Sequence, residues 1–226
     1  MLSDTERIRV LIVDDQELMR SALRMMVQSQ RDLDLVGEAA DGEEAVAAVR
    51  TRRVDVVLMD LRMPKLDGIE ATATITAEQP RCRVIALTTF DLDDYVFPAI
   101  RSGASGFLLK DARGEEIIDA IRMVHAGHGV VAPSTTRRLI AHVAAAPSTN
   151  SAAALRIRAA LTPREFGTLL EIATGDTNRD IAARLHLSEA TVKTHVGHVL
   201  AKLGLRDRVQ AVVLAYESGL AGPSLR

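Results

Sequence analysis

Residues 54–60 read VDVVLMD, a nearly unbroken apolar run rich in valine that ends on a carboxylate. A run this short and this apolar suits a strand buried on both faces, the property of a central strand in a parallel sheet. Outward from it stand four more short apolar runs, at Ile8–Val13, Leu33–Glu38, Val84–Leu87 and Gly106–Leu109. Stretches with helical spacing alternate with them, at Gln16–Ser29, Gly42–Thr51, Gly68–Glu78, Leu92–Ser102 and Gly114–His125. Five strands alternating with five helices predict an α/β fold, a five-stranded doubly wound parallel sheet covered on both faces. The fourth helix contains Pro98, which lacks a backbone donor, so it is expected to be short, kinked or mobile.

Beyond Gly127 the alternation stops. Pro133–Val143 has the pattern of a short helix, and Ala144–Ala154 (AAAPSTNSAAA) reads as a linker of small and polar residues. From Leu161 onward the pattern is helical throughout. The expected organisation is a first domain over residues 1–126, a linker over 127–157 and a small all-α domain over 158–226. Charge follows the same division. Residues 155–226 carry ten Lys and Arg against seven Asp and Glu, while residues 1–154 carry 18 against 23. A basic part behind an acidic one hints that the second domain meets a polyanion. Cys82 is the only cysteine, which excludes an intrachain disulfide and fits a reducing compartment. No cleavable signal and no apolar run of membrane-spanning length is seen, so the expected location is the cytoplasm, with no membrane partner.

The strand ends carry the chemistry. Asp14 and Asp15 follow the first strand, Asp60 ends the third, Thr88 the fourth, and Lys110 follows the fifth. In an open parallel sheet the strand C-termini share one edge, where ligands bind. Three carboxylates close together repel one another. A divalent cation such as Mg2+ resolves this, since it suits carboxylates, waters and phosphate oxygens. With Lys110 opposite and a Thr hydroxyl beside it, the set describes a phosphoryl-transfer site with Asp60 as nucleophile. Read singly, each Asp or Thr could equally be a turn or cap residue.

In the second domain, Thr162-Pro163-Arg164-Glu165 forms a capping box, and Gly175 ends the helix it opens. Asn178 can cap a second helix over Arg179–Leu185, with His186-Leu187 as the turn. Ser188 caps a third that runs to about Leu203 and closes at Gly204, and Asp207 with Gln210 opens a fourth. On the third helix Val192, Val196, Val199 and Leu203 make one buried stripe. Opposite them lie Ala190, Thr194, Gly197 and Ala201, flanked by Lys193. A face so small, with a lysine beside it, can approach a groove closely, although the wheel alone also fits an ordinary surface helix. Gly197 costs about 1 kcal/mol of helix propensity, which suggests a close neighbour. The six histidines show no metal-ligand spacing backed by Cys or carboxylates.

The motifs LIVDDQE, VVLMDLRMPKLDG, VIALTTF and GASGFLLKD, in this order, resemble a two-component receiver domain over residues 7–126. LTPREFGTLLEIATG followed by NRDIAARLHLSEATVKTHVGHVLAKLGL resembles a LuxR-type helix-turn-helix over residues 161–218. Together they are similar to NarL/FixJ-type response regulators. The resemblance implies that a sensor histidine kinase phosphorylates Asp60. It implies that Asp15 and Asp60 ligate Mg2+, with Asp14 acting through water and the Arg62 backbone carbonyl completing the site. Thr88 would hydrogen-bond the phosphoryl group, and Phe107 holds the place of the switch aromatic, a role set against plain core packing. Asp111 stands where many receivers have proline after the lysine, which puts the geometry of the Lys110–Asp111 bond in question. Arg62 and Phe90 flank the route of an attacking water, which predicts slow loss of the phosphoryl group. In the second domain the resemblance makes Lys193, Thr194 and Gly197 groove-facing, and Thr191 and His195 phosphate contacts. The last helix, Asp207–Ser218, would pair two copies or pack into the core.

The implied function is a transcription regulator, not an enzyme, that catalyses only its own phosphorylation and dephosphorylation. Phosphorylation would switch homodimerisation and binding to promoter DNA, with RNA polymerase as a further partner. Three other readings stand beside it: a receiver that works without phosphorylation, a metal-dependent phosphatase, and an interaction module that binds no DNA.

Overall fold

The structure, a computed structural model, describes residues 7–88, 98–127, 130–131 and 151–221. The chain divides into two compact units, residues 1–130 and 131–226. In the first unit the element order is β1 (Ile8–Val13), α1 (Glu17–Gln28), β2 (Leu33–Ala39), α2 (Gly42–Thr51), β3 (Val56–Asp60), α3 (Gly68–Glu78), β4 (Arg83–Thr88), β5 (Gly106–Leu109) and α4 (Gly114–His125), and a two-residue strand, β6 (Val130–Val131), falls at the division.

The sheet has the order β2-β1-β3-β4-β5-β6, and the pairs from β2 to β5 are parallel. The five expected strands are present. The sixth was not foreseen, because two residues are too few to show a period. Alternation along the central strands splits the core into two layers. Val10, Ile12, Val56, Leu58, Ile85 and Leu87 face α1 and α4. Leu11, Val13, Val57, Met59 and Val84 face α2 and α3. Every residue of β3 is buried, as a strand covered on both sides requires. Strand order reverses between β1 and β3, so a crevice opens at their C-terminal ends.

The expected fourth helix at 92–102 falls partly outside the described residues, as do Phe90 and the segment 133–143. Residues 98–101 are helical.

The second unit holds α5 (Ser151–Ala160), α6 (Pro163–Ala173), α7 (Asn178–Leu185), α8 (Glu189–Leu203) and α9 (Arg208–Glu217). Helix α5 takes up residues 151–157 of the expected linker. Alanine, leucine and arginine are good helix formers, and Ile157 is buried at 6 % exposure, which gives the segment a packed face. The cap of α7 is Thr177, not Asn178, and Thr177 and Asp180 bond reciprocally as a capping box. His186 ends that helix in the left-handed conformation, with φ 54°. Ser188 and Asp207 cap α8 and α9 as expected. Val209, Val212, Val213 and Tyr216 of α9 are buried within the unit, and α9 packs on α6. Core packing therefore takes the face that was weighed for pairing two copies.

Candidate functional site: an acidic sheet edge and a groove-facing helix

The end of β3 positions Asp60, and the corner after β1 positions Asp14 and Asp15. Lys110, one residue past β5, reaches back between them. Its Nζ lies 2.7 Å from Asp14 Oδ2 and 2.8 Å from Asp60 Oδ2. The Lys110 side chain is only 7 % exposed, so the three charges meet in a poorly hydrated place where Coulomb terms are strong. Asp14, Asp15 and Asp60 each offer a carboxylate oxygen, and these atoms lie within 4.8 Å of one another. Asp14 and Asp60 are buried, whereas Asp15 faces solvent.

Burial pushes the Asp60 carboxyl above its ordinary range, and Asp14 adds to this, while Lys110 pulls the other way. Burial also opposes the charge on Lys110, but the two carboxylates outweigh it and raise its pKa. The ammonium is thus firmly charged, and Asp60 is a carboxylate held at some cost.

Backbone contacts fix the frame. Lys110 N–H donates to the Thr88 carbonyl at 2.7 Å, which ties β5 to the end of β4. Thr88 is buried, one residue beyond the Leu87 that pairs with Asp60 across the sheet. Arg62 N–H donates to Asp60 Oδ1 at 3.2 Å, and the Arg62 side chain is exposed. No cis peptide bond occurs among the described residues, so Lys110–Asp111 is trans. Phe107 is fully buried in β5 and already sits inside.

The loop between β3 and α3 shows two features that the sequence reading missed. A Cβ on Gly68 would overlap the carbonyl oxygen of Asp60, and Gly68 N–H donates to Leu61 O at 3.1 Å. Only glycine lets the start of α3 lie against the backbone of Asp60. The signal was a glycine directly behind the Asp67 cap, where helix propensity alone disfavours it. Lys65, at φ 63°, pairs with the buried cap Asp41 and holds the same loop to the start of α2.

In the second unit, Thr191, Lys193, Thr194, His195 and Gly197 all lie on α8. Val192, Val196 and Val199 are buried, Leu203 is half-buried, and Lys193, Thr194 and Gly197 are exposed. Thr191 and His195 are half-buried, and the Thr191 hydroxyl is 2.8 Å from that of the cap Ser188. Among the described residues, and apart from its own helix backbone, nothing comes within 4 Å of a Cβ built on Gly197. Space for a close approach is therefore open toward the outside. Glu165 of the α6 capping box accepts from Lys202 at 2.6 Å and lies 3.8 Å from His198. Lys202, with the Thr162 N–H, holds the Glu165 carboxyl well down, at about 2. This pairing could not be read from spacing, because Glu165 and Lys202 are far apart in the chain.

Comparison with known proteins bears on both halves. Residues 10–122 match the response regulator receiver domain, and residues 159–215 match the bacterial regulatory proteins of the luxR family. The transcriptional regulatory protein YxjL of Bacillus subtilis is 41 % identical over 215 residues, covering 95 % of this chain and 98 % of that one. The response regulator VraR of Staphylococcus aureus is 36 % identical over 213 residues, covering 94 % and 98 %. The crystal structure of the response regulator ChrA, from a heme-sensing two-component system, covers 96 % of this chain and 100 % of its own, at 34 % identity and a TM-score of 0.53. An acidic crevice at the switch point of a parallel sheet, coupled to a LuxR-type helical unit, makes this chain a member of the two-component response regulators of the NarL/FixJ type, which regulate transcription.

Proposed function

We propose that Asp60 accepts a phosphoryl group from the phosphohistidine of a sensor kinase, and that this switches homodimerisation and binding to promoter DNA. The observation that carries it is the buried triad of Asp14, Lys110 and Asp60, with Lys110 Nζ 2.7 and 2.8 Å from the two carboxylates. An Asp60 oxygen attacks phosphorus, the P–N bond to the donor imidazole breaks, and its electron pair leaves with the ring. Lys110 stands where negative charge grows on the phosphoryl oxygens.

The acidic oxygens are hard ligands suited to Mg2+, which Asp15, Asp60 and the Arg62 carbonyl would hold directly and Asp14 through water. Bound there, the ion would supply positive charge to offset that of the phosphoryl oxygens. Thr88 hydrogen-bonds the new phosphoryl group. With Phe107 already packed inside, the first movement falls to Thr88. On α8, Lys193, Thr194 and Gly197 enter the major groove, while Thr191 and His195 contact phosphates. Gly197 offers no side chain to a base, so part of the sequence preference rests on DNA shape. The setting is the cytoplasm, and RNA polymerase is the partner at the promoter.

The test is duplex binding by the chain with Mg2+ and acetyl phosphate. Affinity rises on addition of the phosphodonor, and Asp60→Asn removes the rise. An equal rise in Asp60→Asn contradicts the proposal.

A further inference from the structure

All but the last two residues of helix α5 fall between the two family matches, which end at residue 122 and resume at 159. Its charge has one sign. From 151 to 164 the chain carries Arg156, Arg158 and Arg164 and no Asp or Glu. The helix is seated in the second unit: Ile157 is buried, α5 touches α8, and the Arg158 guanidinium lies 5.2 Å from the centre of the Phe166 ring. All three arginines are nevertheless exposed.

Two other cations of this unit are neutralised by carboxylates. Lys202 pairs with Glu165, and Arg184 with Glu171 and Asp176. No carboxylate partner is recorded for Arg156, Arg158 or Arg164 among the described residues. Like charges held on a rigid frame repel, and an external polyanion relieves that repulsion. Position agrees with charge. Helix α5 touches α8, and Glu165, next to Arg164 in the chain, pairs with Lys202 of α8.

We propose that Arg156, Arg158 and Arg164 form a second phosphate-binding strip, which grips the DNA backbone beside the recognition helix without reading bases. The inference rests on the reading of the second unit as a DNA binder. Guanidinium groups suit it, because their planar forks match phosphate oxygens.

Salt dependence tests it. The full chain, with Mg2+ and acetyl phosphate present, is titrated with a mixed-sequence duplex over a range of salt. Arg156→Gln with Arg164→Gln is the variant of choice, since both side chains are exposed; Arg158 is kept for its contact with Phe166. The slope of log affinity against log salt becomes shallower by about 0.9 for each arginine removed, and preference among sequences is unchanged. An unaltered slope overturns the strip. An unaltered slope with a changed response to phosphodonor also overturns it, and points to contact with the acidic first unit. If the unsubstituted chain shows no salt-dependent binding, the DNA-binding reading itself fails and the strip with it.

Discussion

At the sheet edge Lys110 is enclosed between two carboxylates, 2.7 and 2.8 Å away. On α8, Lys193 stands in solvent with no ion pair recorded among the described residues. The two glycines nearby differ in the same sense. Gly68 is pressed against the carbonyl of Asp60, while Gly197 has nothing above it among the described residues. The first region is preorganised to do chemistry on a small group, with its charges set before the substrate arrives. The second holds charge and space in reserve for a partner that brings its own phosphates. A regulator needs both, and each half is specialised where the other is not.

The sharpest way to break this contrast is to remove the enclosed cation. Lys110→Met leaves Asp14 and Asp60 facing each other in a buried place, so stability falls by about 3 kcal/mol. Urea unfolding measures the loss, and added Mg2+ should recover part of it. An unchanged midpoint would mean that the triad is not enclosed.

The glycines sharpen it further. Gly68→Ala forces the loop off the Asp60 backbone and should cost about 1–3 kcal/mol, together with slower labelling by acetyl phosphate. Gly197→Ala has the opposite sign on stability, a gain of about 1 kcal/mol from helix propensity. Thermal melts of the two variants should diverge. The gain at 197 should come with weaker DNA binding, because the new methyl occupies the open approach.

Smaller still is the pH effect of Glu165, whose folded pKa lies well below its unfolded value near 4.3. Its contribution is fully present above the unfolded pKa and is lost as pH falls toward about 2. The second unit should therefore weaken between about pH 5 and pH 2, and Glu165→Gln should flatten that part of the curve. Melts across this range check it. The least effect is expected at His186, where the left-handed conformation disfavours a β-carbon. His186→Gly should raise stability by about 0.5–1 kcal/mol.

The acidic edge was legible because strands of known period end on Asp60, Thr88 and Lys110, and parallel topology gathers such ends. The close approach at Gly68 was not, since overlap depends on where the loop lies and not on spacing. Thr177 and Asn178 are adjacent residues of equal capping type, and the reciprocal bond with Asp180 decides between them. Helix α5 was read as linker because its small residues show little period, and its one buried anchor, Ile157, gains meaning only from the helices it meets.

The account rests on a covalent bond at one side chain. The phosphoprotein can be trapped with borohydride, which reduces an acyl phosphate on Asp to homoserine, and the peptides then mapped by mass. The account predicts homoserine at position 60, absent without phosphodonor and absent in Asp60→Asn. Conversion at any other carboxylate, with Asp60 intact, would contradict it.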